Sequence, residues 1–180
     1  MRDLRGPVYI GNSLSQLLKM GEVMTERETA PDWKNHGVRI IRDGELDTNT
    51  PQTPGMTRAA AINHARTGAS KLWAGTVTVQ PNAKTGPHHH GELESIIYVV
   101  KGRARMRWGE RLEYMAEAAP GDFIYVPPFV PHQEINASPG ETLECVVIRS
   151  GQEPVVVNLE IPTIEPPEEV RWIDQVHPPA

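Results

Sequence analysis

The stretch Gly86-Pro87-His88-His89-His90-Gly91-Glu92-Leu93-Glu94-Ser95-Ile96-Ile97-Tyr98-Val99-Val100-Lys101-Gly102 decides the reading of this chain. It opens as a glycine-bounded loop, passes through three histidines and ends in a continuous apolar run that Gly102 breaks. Ile96 to Val100 has the pattern of a strand packed on both faces. Side chains on an extended chain alternate with a period of two. His88 and His90 therefore share one side, and His89 faces away. Neutral imidazole is the commonest side-chain metal ligand.

A second stretch answers the first. Pro120-Gly121-Asp122-Phe123-Ile124-Tyr125-Val126-Pro127-Pro128-Phe129-Val130-Pro131-His132 brings one more histidine to the start of another strand. His132 then completes a three-nitrogen face on a metal ion. The competing reading is a solvated histidine turn with no ligand. The triplet is too short and too internal to be an expression tag.

Around these segments the chain is a succession of short strands separated by turns. Leu72 to Gln80 alternates Trp73, Gly75, Val77 and Val79 against Thr76 and Thr78. Arg103, Arg105 and Arg107 alternate with Ala104, Met106 and Trp108, and Gly109-Glu110 turns the chain. Leu112 to Ala116, Phe123 to Val126, Gln133 to Asn136 and Leu143 to Arg149 follow. Evenly spaced short strands indicate a sandwich or barrel.

The two histidine segments resemble the two motifs of the cupin superfamily. In the first, Gly86, His88, His90 and Gly102 fall at the family spacing. In the second, Gly121, Pro127, His132 and Asn136 match, while Phe129 stands where the family has glycine. The resemblance covers residues 70 to 150. It implies an all-β fold, a double-stranded β-helix or jelly-roll barrel, with one divalent metal ion (Fe, Mn, Zn or Ni) inside its mouth. It implies His88, His90 and His132 as ligands and an acidic fourth ligand from the first motif. Counting back from Gly102 puts Ser95 in the acidic slot, one residue after Glu94. A regular strand leaves Ser95 inward and a three-histidine site; a bulge near Gly91 turns Glu94 inward. The expectation falls on Glu94, because a carboxylate is the better ligand.

The same parity argument places Glu134 beside His132. It is the candidate catalytic acid or base, since a metal-bound water has a lowered pKa and needs a proton acceptor; the alternative is an ion pair with a cross-strand arginine. Ala104, Met106 and Trp108 are read as inward and the three arginines as solvated. Tyr98 and Tyr125 are candidate pocket hydroxyls. His36, His64 and His177 have no partner in the sequence pattern.

Three parts emerge: 1–69, an N-terminal helix and extended arm; 70–150, the barrel; 151–180, a strand and a proline-rich tail. The helix is expected over Asn12 to Glu28, with Leu14, Leu17, Leu18 and Val23 as its stripe. Val38 to Ile41 and Val155 to Val157 read as short strands. Met56 to Ala65 is compatible with helix or with an extended arm. The N-terminal helix and the C-terminal strand exceed what one small barrel needs, which leads to the expectation of a homodimer.

Composition bounds the function. The formal charge of −5 disfavours nucleic acid and anionic membrane as partners. No apolar run reaches the roughly 20 residues of a membrane helix. The first residues lack the apolar core of a signal peptide. The single cysteine, Cys145, lies in an apolar strand and suits buried packing in a reducing cytoplasm. A small organic ligand or substrate is the expected partner. The family resemblance admits dioxygenase, isomerase, lyase or decarboxylase chemistry, and equally a non-catalytic binding module.

Overall fold

The computed structural model describes residues 32–162, 164 and 170–173. The helix expected over Asn12 to Glu28 lies outside the described residues, as does His177. The chain divides into two compact units, Met1–Val38 and Arg39–Ala180. Of the first, only a short helix α1 (Trp33–His36) is described; Asp32 caps it by accepting from the Asn35 N–H. No helix among the described residues is long and apolar enough to cross a membrane.

The second unit is a two-sheet jelly roll. It begins with one 3₁₀ turn (Asp43–Glu45), then β1 (Met56–Ile62), a one-turn helix α2 (His64–Thr67) and β2 (Trp73–Val79). The two histidine segments follow on β3 (His88–His89), β4 (Ser95–Lys101), β5 (Ala104–Trp108), β6 (Tyr114–Ala118), β7 (Phe123–Val126) and β8 (His132–Asn136). The last strands are β9 (Leu143–Arg149), β10 (Val157–Asn158) and β11 (Arg171–Trp172). One sheet has the order β1-β2-β9-β4-β7 and the other β10-β3-β8-β5-β6-β11.

Strand alternation sorts the side chains. In the first sheet, Trp73, Arg149, Ser95 and Val126 form one inward row, and Gly75, Val147, Ile97 and Ile124 the next. In the second sheet, Trp108, His132 and His88 form a row, followed by Met106 with Glu134 and Ala104 with Asn136. The buried core runs from Met56, Val77 and Val79 through Ile97 and Val99 to Met106, Leu143 and Cys145. The histidine row thus caps one end of an apolar core. Gly75 is required here, because a Cβ would lie 2.3 Å from the Ala59 carbonyl oxygen and 2.7 Å from the Trp73 ring.

Several local expectations are corrected. Val38 to Ile41 forms no strand, and Val38 is 98% exposed. Met56 to Ile62 is a full sheet strand, because Met56 and Ala60 can bury themselves against β2. The barrel therefore reaches back into the segment read as an arm. Near Val155, the strand that forms is β10, which pairs with β3. The arginine row is inward–outward as expected, but only Arg103 is well solvated. Arg107 is buried and donates to the carbonyls of Leu112 and Ile164, which pin the C-terminal segment over the outside of β5. Arg105 pairs with Glu117, its Nε donating at 2.7 Å.

Candidate metal centre

The structure brings His88, His90, His132 and Glu134 together. One side-chain ligand atom from each lies within 4.8 Å of every other. Two donors on opposite sides of one ion, each at ~2.1 Å, stand ~4.2 Å apart. Sub-ångström side-chain movement would close the set on a single ion.

Backbone anchoring fixes which ring nitrogen faces inward. His88 Nδ1 donates to the Gly86 carbonyl at 2.9 Å and His132 Nδ1 to the Val130 carbonyl at 2.9 Å. His90 Nδ1 donates to the Val155 carbonyl at 2.8 Å. A carbonyl oxygen only accepts, so each Nδ1 carries the proton and each Nε2 keeps its lone pair. This is the outer-shell arrangement that orients metal-ligating histidines. His132 Nε2 is buried and has no hydrogen-bond partner. A buried polar atom left so needs an explanation, and a ligand supplies it. The donors present fit a divalent ion: three imidazole nitrogens and one carboxylate oxygen.

Electrostatics agree with this tautomer assignment. Burial, above all, lowers the His90 pKa to about 4. It lowers that of His132 as well. Both imidazoles are therefore neutral at pH 7. For Glu134, burial alone would raise the pKa, but His88, His132 and Arg58 outweigh it and hold the carboxyl below its ordinary value. His90 and His132 thus rest neutral beside the Glu134 carboxylate, the protonation states that metal binding requires.

Glu94 is not part of this cluster, and the expectation that it turns inward is corrected. The β4 register is regular from Ser95 to Val99, opposite both Val126 and Arg149 at its start. No bulge precedes Ser95 in the ladder, so parity puts Ser95 inside and Glu94 outside. Glu94 is exposed and accepts a 2.6 Å hydrogen bond from the Tyr125 hydroxyl. Glu134 occupies the place of the carboxylate that the sequence reading sought on the first motif. That reading gave Glu134 an acid–base role. The signal for a ligand was available: His132 and Glu134 share parity on one strand, as His88 and His90 do on the other.

The remaining expected residues fall away from the cluster. His89 accepts from the Gly91 N–H at 2.9 Å and lies against Phe129, ring centroids 5.9 Å apart. Tyr98 packs on Phe123 on the outer face. Burial pushes the Cys145 thiol up to about 12, which makes it inert. His64 is among the residues that line the interior cavity, a placement that no sequence pattern signalled.

The cluster stands between two cavities. His90 and Glu134 line one interior space of about 330 Å³, with walls from Val77, Val79, Ile97 and Met106. His132 lines a second space of about 430 Å³ with Trp108 and Tyr125. Apolar walls with a few convergent polar groups are the usual make-up of a small-molecule site.

The cupin-domain family model matches residues 75–149, which hold both histidine segments and the strands between them. Residues 75–149 form a cupin domain. Among solved structures, this cupin is similar to the polyketide cyclase RemF from Streptomyces resistomycificus. The two share 25% identity over 69% of this chain and 87% of that one, with a TM-score of 0.58. An uncharacterized conserved protein with a double-stranded β-helix domain from Klebsiella pneumoniae is 17% identical, covering 68% and 98% of the two chains at a TM-score of 0.53. Bacillus subtilis oxalate decarboxylase, a protein with Mn(II) centres, is 22% identical at a TM-score of 0.51; the match covers 60% of this cupin and 29% of the decarboxylase. The last two likenesses concern the fold alone. No curated protein matches the chain.

Proposed function

We propose that this cupin is a metal-dependent enzyme acting on a small organic substrate held inside the barrel. In this reading His88, His90 and His132 hold one divalent ion through Nε2, and Glu134 gives it a carboxylate oxygen. The observation that carries the reading is the anchoring of all three Nδ1 atoms to backbone carbonyls, which commits three lone pairs to one point beside Glu134. An ion of iron, manganese, zinc or nickel bound there supplies Lewis-acid polarisation or dioxygen chemistry. The chain's own residues exclude water with the apolar wall and hold the ligand nitrogens in one tautomer. Likeness to a polyketide cyclase supports an enzyme over a storage role. The choice among dioxygenase, isomerase, lyase, decarboxylase or cyclase chemistry is set by the metal together with the substrate it holds.

The test is elemental analysis of the purified protein, followed by a turnover screen on phenols, thiols and keto acids with the identified metal restored. Oxygen uptake separates dioxygenase chemistry from the non-oxidative classes. The reading expects turnover that His132→Ala abolishes. A full metal complement with no turnover on any class would favour a non-catalytic binding cupin.

A cytoplasmic homodimer belongs to the same reading. One face of the five-stranded sheet exposes Ile96, Val100, Phe123 and Tyr125. A second copy of this face would cover it, as two-fold assemblies usually do.

A further inference from the structure

Four buried side-chain polar atoms among the described residues have no hydrogen-bond partner. Two of them, Ser95 Oγ and Arg149 Nε, line the same interior cavity as His90 and Glu134. Ser95 and Arg149 are direct partners across the β4–β9 ladder, both on its inward side. Ser95 is 2% exposed and Arg149 9% exposed.

Arg149 is the anomaly. A guanidinium stays protonated in proteins and offers five N–H donors. Burying such a charge is costly unless an anion and hydrogen bonds compensate. Among the described residues the Arg149 side chain has no ion pair and no hydrogen bond. It lies over the Trp73 ring, 4.6 Å from the guanidinium carbon to the ring centroid, and Glu134 attracts its charge from beyond ion-pair distance. Trp73 is its ladder partner on the other side. The stack orients the guanidinium plane but leaves its N–H edge free. Arg58 lines the same cavity; among the described residues its guanidinium donates to the Pro51 carbonyl and the Thr53 hydroxyl, and its charge helps to hold the Glu134 carboxyl below its ordinary value. Asp47 and Glu134 are the acidic groups on the wall, and neither forms an ion pair with these arginines.

We infer that the interior cavity takes an organic acid, whose carboxylate is held by the Arg149 guanidinium and the Ser95 hydroxyl while its apolar body lies against Val77, Val79, Ile97 and Met106. This names the substrate class for the proposed enzyme and rests on that reading only for the chemistry, since the two donors exist with or without a metal. Arg149 gives charge-assisted hydrogen bonds of the kind guanidinium makes with carboxylate. Ser95 adds a neutral donor from the adjacent strand. The acid then spans the cavity from Arg149 toward His90 and Glu134.

The experiment is titration calorimetry with benzoate and phenylpyruvate, each compared with its neutral amide, on metal-loaded and chelator-stripped protein. The acids are expected to bind at least about tenfold more tightly than the amides, as a charge-assisted contact implies. Arg149→Met keeps the stack on Trp73 and removes the charge; it should cost about 10- to 100-fold in acid binding. Arg149→Met should also leave the melting temperature of the ligand-free protein unchanged or higher, because a buried charge with no directly bonded anion is gone. Arg149→Lys should restore part of the binding. Acid and amide binding equally, or acid binding untouched in Arg149→Met, overturns the inference. So does failure of both acids to bind at tens of millimolar. Arg149-dependent acid selectivity in protein that never acquires a metal upholds this inference and ends the metal reading. A stoichiometric metal without any Arg149 effect does the reverse.

Discussion

His88 and His132 are direct partners across the β3–β8 ladder, with ring centroids 4.4 Å apart. Each ring is fixed in the same way, by an Nδ1 hydrogen bond to the carbonyl two residues before it. The two histidine segments thus present matching imidazoles from adjacent strands. His90 is held from a third direction, by the Val155 carbonyl of the C-terminal segment. Bringing three imidazoles into van der Waals range inside a protein has little value for stability. It has an evident value for holding an ion.

The carboxylates give the first prediction. Glu134→Gln should weaken metal retention by at least about tenfold, the lower range for loss of a group at or next to a metal ligand. Glu94→Gln should leave metal content and affinity unchanged, since Glu94 is exposed and bonded to Tyr125. Competition with a chelator of known affinity checks both. A loss in Glu94→Gln without one in Glu134→Gln would reverse the assignment.

Acid sensitivity gives the second. His90 titrates near 4 in the fold against 6.5 ordinarily. Between those values the unfolded chain holds a proton that the folded chain refuses, so stability rises with pH across the window. His132 is shifted in the same direction, and Glu134, also lowered, adds stability that is lost at still lower pH. The melting temperature of metal-stripped protein should therefore fall as pH drops from 6.5 to 4. His90→Gln should flatten part of that slope. A flat profile in the wild-type protein would contradict the buried, neutral state of the ring.

Phe129 supplies the third. It has φ +60°, the left-handed region, at the position where the family motif has glycine. Its N–H donates to the Gly91 carbonyl at 2.8 Å, which ties the two histidine segments together. Phe129→Gly should change stability by less than about 1 kcal/mol, strain relief offsetting the added chain entropy. Phe129→Val should destabilise by about 1–3 kcal/mol, because a β-branched residue resists this conformation. Denaturant melts measure both. Equal tolerance of the two variants would show that the turn relaxes.

Oligomeric state is the fourth. Phe123 is 71% exposed and Tyr125 56% exposed on one sheet face. Light scattering at micromolar concentration should report a dimer, and Phe123→Glu should shift it toward monomer. A wild-type monomer would refute the assembly.

The sheet architecture was legible because period-two alternation and glycine punctuation act locally. His88, His90 and His132 were legible for the same reason: parity and motif order need no tertiary information. Glu94 is misleading in sequence because a carboxylate is the better metal ligand, whereas the regular register from Ser95 to Val99 puts Ser95 inward and leaves Glu94 outside. Met56 to Ile62 was ambiguous because alanines favour helix in isolation, while pairing with β2 overrides propensity. Arg149 was invisible in sequence, where a terminal arginine on an apolar strand reads as solvated. Its burial depends on Trp73 and Ser95 flanking it on neighbouring strands.

The central claim is that three imidazoles and Glu134 form one metal site. Elemental analysis of the purified wild-type protein beside His132→Ala tests it most directly, with circular dichroism to verify that the variant is folded. The account predicts about one divalent ion per wild-type chain and none retained by folded His132→Ala. A folded His132→Ala variant that keeps its full metal content, or a wild-type protein that takes up no divalent ion when offered one, would contradict it.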